Sequence, residues 1–141
     1  MLQRILLILT FLFLAAAPAF AGLPEGQSAY DSKDWTKAFA ELKPLADSGN
    51  DRAMMLLANM YNDGNGMAQD HAAAMTLYKR AAIEKNNPEA MLAVAAMYTS
   101  GFSVPVNLNM ALQWFHRAAR LGDQTGAFFY ATILFRGNQS A

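Results

Sequence analysis

The chain has 141 residues with eleven basic and eleven acidic side chains, so no positive surplus exists for nucleic acid or acidic lipid. It contains no cysteine, which excludes a disulfide-stitched scaffold, a thiol nucleophile and a cysteine-linked lipid anchor. Beyond the first residues the chain is rich in Ala and Met and poor in Val and Ile, a composition that favours helix over strand.

Residues 1–21, MLQRILLILTFLFLAAAPAFA, carry one basic residue, Arg4, then an apolar run from Ile5 to Ala17. The stretch ends in Ala19-Phe20-Ala21, with small residues at the two positions a signal peptidase reads. This spacing predicts a cleaved secretory signal, with cleavage after Ala21. The competing reading is an uncleaved anchor helix. The run is shorter than the roughly 20 apolar residues a span needs, and Pro18 interrupts it. The expected mature chain is therefore 22–141, a single domain without a membrane span, periplasmic or secreted. Loss of Arg4 leaves it one acid in excess.

A short helix is expected near 25–31. Asp34 is read as the N-cap of an amphipathic helix over 34–47, in which Pro44 should produce a kink near Ala40. Asp51 opens a helix near 51–62, and Asp70 caps the next over 70–84. Asn87-Pro88 opens another, with proline at the first helical position where its missing N–H costs nothing. Asn107 caps 107–120, and Asp123 opens the last helix near 124–136.

These helices recur. Ala38 returns as Ala74, Ala46 as Ala82, Ala53 as Ala90, Tyr61 as Tyr98 and Gly64 as Gly101, at offsets of 36 and then 37 residues. In a third copy Ala74 returns as Ala111, Tyr78 as Phe115, Ala82 as Ala119, Ala90 as Ala127 and Tyr98 as Phe135, all at 37. This register puts one extra residue in each of the turns 83–89 and 120–126. A period in the thirties means a stack of two-helix units. Ala74, Leu77, Tyr78, Ala81 and Ala82 form one apolar stripe, repeated by Ala111, Trp114, Phe115, Ala118 and Ala119. The alanines let neighbouring backbones approach, and larger residues there would overpack the seam.

The run A-x-x-x-L-A-x-M-Y-x-x-G-x-G-M-x-x-D-x-x-x-A from Ala53 to Ala74, with LYKRAA at 77–82 and WFHRAA at 114–119, resembles the Sel-one-like repeat (SLR) family, a relative of the tetratricopeptide repeat. The resemblance covers 26–137. It implies an all-α fold, a right-handed α/α superhelical solenoid of helical hairpins, with repeats near 26–62, 70–99 and 107–136. It departs from the family's pattern where Ala58, Ala95 and Thr132 replace a usual glycine, and where Ser103 replaces the second loop glycine, Gly66.

YNDGNGMAQD, 61–70, could be a phosphate loop, a calcium loop or a turn between helices. A phosphate loop needs Lys-Ser/Thr after its second glycine, where Met67-Ala68 stands. A calcium loop with Gly66 sixth would begin at Tyr61 and end at Ala72, neither of which supplies a carboxylate. The recurrence of the same length as YTSGFSVPVN, 98–107, makes it a repeat turn. There Gly64 and Gly66 supply positive φ, Met67 tucks onto the core and Asp70 caps the next helix.

No catalytic, cofactor or metal site is expected. His71 and His116 fall in different repeats without ligand-spaced partners, and Asp70 and His71, being adjacent on a helix, point apart. The remaining signal is apolar. By the family's plan the 51–62-type helices line the concave face. Met54 and Leu56, Met91 and Ala93, and Phe128 with Tyr130 stand there where polar residues are usual. Met54, Met91 and Phe128 would form an adaptable groove, or else be buried against a neighbouring helix. GAFFYATILFRG is apolar on more than one face. Phe128, Phe129, Ile133 and Phe135 exceed what the one preceding helix can bury, which calls for a partner, a second copy or a folded-back tail. The expected function is non-catalytic binding of a partner protein by an exported scaffold, adaptor or regulator. Met54, Leu56, Met91, Phe128, Phe129, Tyr130 and Ile133 would make the contact, and Asn59, Gln113 and exposed charges would tune it. The alternatives are a structural protein that forms a homodimer through the C-terminal helix, and an accessory factor of a cell-envelope enzyme.

Overall fold

The computed structural model describes residues 22–139. The expected signal sequence, 1–21, lies outside the described residues. Seven helices follow in order: α1 (Leu23–Asp31), α2 (Trp35–Asp47), α3 (Asp51–Asp63), α4 (His71–Glu84), α5 (Pro88–Ser100), α6 (Leu108–Arg120) and α7 (Gln124–Gln139). No strand occurs among the described residues. Each helix packs on the next, and α1 also touches α3 as α5 touches α7. This is an all-α solenoid in which α1, α3, α5 and α7 form one series and α2, α4 and α6 the other.

Every helix start from α2 onward is capped as the residue types require. Asp34 accepts from Lys37 N–H at 3.2 Å, Asp70 from Ala72 and Ala73 at 3.0 and 2.9 Å, and Asn107 from Met110 at 2.9 Å. Asn87 caps Ala90 at 3.0 Å, with Pro88 at the first helical position. The cap of α3 is Asn50, which accepts from Ala53 at 2.9 Å; Asp51, expected to open the helix, is its first residue, where its charge faces the helix dipole favourably. The helix α2 runs unbroken through Pro44 to Asp47. Pro44 sits in the last turn, and Ala40, whose carbonyl it deprives of a partner, is exposed to water.

The loops that join α3 to α4 and α5 to α6 are the same device. Asp70 N–H donates to Tyr61 C=O at 2.8 Å, and Asn107 N–H to Tyr98 C=O at 2.9 Å. Gly64 and Gly101 cap their helices in the left-handed region, at φ 71° and 78°. Gly66 has φ 77°, and a Cβ there would lie 2.3 Å from Trp35 Cβ. Met67 packs against the core as expected.

The turns from the second helix of one unit to the first of the next correct the register of the third repeat. Asn50 N–H donates to Leu45 C=O and Asp123 N–H to Ala118 C=O, both spanning five residues, whereas Asn87 N–H reaches back six, to Ala81. Only the middle turn carries the extra residue, with Asn86 in the left-handed region at φ 52°. From Asp123 onward the third offset is therefore 36, while α6 keeps 37. The residue three beyond the cap is Ala53, then Ala90, then Gly126, and all three are buried, while Ala127 is exposed. Gly126 is small for a reason: a Cβ there would lie 2.8 Å from Ala118 Cβ and 2.9 Å from Phe115 C=O. The equivalents of Met54 and Met91 are thus Ala127, not Phe128, and Tyr98 corresponds to Leu134, not Phe135.

Candidate functional site

The expected groove of Met54, Met91 and Phe128 does not form. Met54, Leu56 and Met91 are 0%, 2% and 4% exposed and belong to the continuous core. The reason is coordination. The helix α3 has α1, α2 and α4 packed on it, so an all-round apolar sequence is buried on every side. Phe128 is misplaced in that stripe by one residue. Its true equivalents are Met55, which is buried, and Leu92, which is half-buried.

The surface feature that does form lies one unit further along, between α5 and α7. A cleft of about 760 Å³ opens there. One wall is α5, through Leu92, Ala93, Ala96 and Thr99. The other is α7, through Thr125, Phe128, Phe129, Thr132 and Ile133. Leu108 and Phe115 of α6 close the floor and one end. Both walls use helical spacing: Leu92, Ala96 and Thr99 on α5, and Thr125, Phe128, Phe129 and Thr132 on α7. Phe128 is 65% exposed, whereas Phe129 stacks on Phe115 with ring centroids 5.1 Å apart and is held in place. Of the lining side chains only Arg136 is ionisable.

Of the residues expected at a contact, Phe128, Phe129 and Ile133 meet in this cleft, and Met54, Leu56 and Met91 do not reach it. Tyr130 turns toward α6, where its ring stacks on His116 at 4.7 Å. Ala93, expected on the concave face, lines the cleft as well, whereas Leu92, Ala96 and Leu108 are absent from the expected contact. The signal existed in the spacing of Leu92 and Ala96, but the one-residue shift at Gly126 hid their partnership with Phe128.

Polar residues of the inner surface serve the scaffold. Tyr78 OH donates to Asn59 Oδ1 at 2.6 Å, tying α4 to α3. Burial, and then the nearby Asp63 charge, hold that hydroxyl protonated well above the ordinary tyrosine range. Asn59 is therefore committed to Tyr78, while Gln113 is exposed on α6. His71 begins α4, with Nδ1 3.0 Å from Asn62 Oδ1 and its ring stacked on Phe102 at 5.2 Å. Both histidines are thus packed on aromatic rings. No cluster of three or more His, Asp or Glu side chains suited to a metal occurs among the described residues. No helix of the described residues is long and apolar enough to cross a membrane.

Tandem helical hairpins with alanine seams, capped turns of fixed span and an apolar cleft define a helical-repeat scaffold. Comparison with known families is specific: the Sel1 repeat matches residues 51–86 and 88–123, and the chain belongs to that family. The matched units begin at the first residue of α3 and of α5, in the register the caps define. The chain is similar, at 28% identity over 125 residues, to an exopolysaccharide production negative regulator of Rhizobium leguminosarum bv. viciae, covering 79% of this chain and 47% of the relative. It is similar in structure to a protective antigen present in uropathogenic Escherichia coli strains that displays an SLR fold. The TM-score is 0.71 with 33% identity, over 79% of this chain and 24% of that one. A Sel1 repeat protein from Oxalobacter formigenes shares the fold at a TM-score of 0.75 and 22% identity, over 80% of this chain and 46% of that one. The chain thus spans less than half the length of each of these relatives. Sel1 repeat proteins generally act as protein-interaction modules.

Proposed function

We infer that this protein is a non-catalytic binding module, exported to the periplasm or beyond, that takes an apolar segment of a partner protein into the cleft between α5 and α7. The observation that carries the reading is the cleft itself: two helical walls, nearly free of charge, with Phe128 standing exposed between them. A helix or extended segment laid along it would cover Phe128, worth about 2 kcal/mol, or roughly 30-fold in affinity. Export is supported by the pattern of residues 1–21. A regulatory role is supported by the similarity to a negative regulator of exopolysaccharide production.

The test is crosslinked capture from the native cell envelope with wild type, Phe128→Glu and Ala96→Glu. Both residues are exposed and stand on opposite walls, so helical circular dichroism should be retained. Loss of the same specific partner in both variants is the expected result. An unchanged set of captured proteins refutes the cleft.

A further inference from the structure

The α5–α7 cleft has a counterpart one unit earlier. A hollow of about 280 Å³ lies between α3 and α5, over Tyr78 of α4 and beside Phe102 of the following loop. Its Asn62, Tyr78, Ala93, Ala96, Met97 and Ser100 become Thr99, Phe115, Phe129, Thr132, Ile133 and Arg136 one repeat later, at offsets of 37 as far as α6 and 36 in α7. All six of those later residues line the cleft. The two are copies of one site on successive rungs, and Ala93 and Ala96 of α5 border both.

Their chemistry differs. The cleft has Phe115 and Ala96 in the places of the hydrogen-bonded pair Tyr78 and Asn59, so its floor is apolar. The hollow is rich in acceptors. Tyr78 OH donates to Asn59 Oδ1 at 2.6 Å and Ser100 Oγ to Met97 C=O at 3.3 Å, so both hydroxyl oxygens keep only lone pairs. Asn62 Nδ2 donates to Asp63 Oδ1 at 2.9 Å, which sets a carboxylate beside the hollow. Because α3 ends at Asp63 and α5 at Ser100, two helix C-termini add negative partial charge. Phe102, 68% exposed and stacked on His71, adds aromatic surface of the kind that attracts cations. No Lys or Arg lines the hollow.

We propose that the partner segment lies across the helices in extended form, with an apolar side chain in the α5–α7 cleft and a basic side chain, Arg or Lys, in the α3–α5 hollow. This rests on the cleft being a partner-binding site, and it adds the chemistry that selects the partner. The segment crosses α5 over Ala93 and Ala96, whose small side chains let a main chain approach closely. The two subsites flank one helix and so lie roughly 10 Å apart. That is about three residues of extended chain. A segment with an acid in the basic position is rejected by Asp63 and the helix ends.

Short synthetic peptides test this by fluorescence anisotropy with the purified protein. Each carries one Leu and, about two to five residues to either side, Arg, Ala or Glu in a Gly-Ser background. At a separation near three the Arg peptide should bind about 10-fold more tightly than the Glu peptide, with Ala between them. Ser100 is exposed at a helix end, and Ser100→Lys copies the basic residue of the next unit. It should cut the Arg-over-Glu ratio to about 2-fold or less and leave binding of the Ala peptide unchanged. Phe128→Glu should weaken all three peptides alike. Equal binding of the three that Phe128→Glu still abolishes overturns the basic subsite and spares the cleft, and a ranking that survives Ser100→Lys overturns it too. Binding indifferent to Phe128→Glu, or no binding of any peptide, overturns the cleft and the basic subsite with it.

Discussion

The helices α3 and α7 hold the same place in the repeat and have similarly apolar sequences, yet they meet different fates. From Ala53 to Ala58 every residue of α3 is buried, while Ala127, Phe128, Phe129 and Ala131 of α7 are exposed. The difference is in the neighbours: α3 is packed by α1, α2 and α4, and α7 chiefly by α6. In a stacked repeat protein, hydrophobicity says that a residue seeks cover, and position in the stack says whether this chain provides it. The first part of the molecule is core, and the last part offers surface.

The sharpest way to break that contrast is a truncation in α3. Leu57, 1% exposed, touches the core on all sides, and Leu57→Ala should cost about 3 kcal/mol, read as a lowered midpoint in urea denaturation. A smaller effect tests the tie between α3 and α4. Tyr78→Phe removes the hydrogen bond to Asn59 and should cost about 1 kcal/mol at neutral pH. The pH sign follows from the raised Tyr78 value. The unfolded tyrosine ionises first, so its contribution to stability is whole below pH 10 and falls as pH rises beyond that. The gap between wild type and Tyr78→Phe should therefore narrow in alkaline denaturation series, and a widening gap would contradict the assignment. The smallest effect is on α7: Phe135→Ser should change the unfolding free energy by less than about 0.5 kcal/mol. A loss as large as that of Leu57→Ala would show that the two ends are equally packed.

Much of this architecture is legible in the residues. Caps at Asp34, Asp70 and Asn107, the proline at the start of α5 and the matched turns at 61–70 and 98–107 follow from side-chain chemistry that acts within a few residues. What failed was non-local. Gly126 and Ala127 are both small, and an alanine-to-alanine match, which looks better than alanine to glycine, sets the last helix of the third repeat one residue late. The five-residue turn from Ala118 to Asp123 and the close approach of Ala118 to Gly126 distinguish them. That slip placed Phe128 beside Met54 and Met91 instead of Leu92. The burial of Met54 and Met91 depended on which helices surround α3 and α5, and no local pattern encodes that. Phe128, Phe129 and Ile133 stand out in the sequence because a surplus of large apolar residues on one helix is visible before any neighbour is known.

The bond from Asp70 N–H to Tyr61 C=O, with its copy from Asn107 to Tyr98, joins main-chain atoms at both ends. The geometry of each hairpin is thus set without reference to most side chains lying between those anchors. GNGMAQ can become GFSVPV and the rungs of the ladder stay equally spaced. These segments are where a lineage could trial new chemistry, such as the outward Phe102 that accompanies His71, while the frame carrying it remains unchanged.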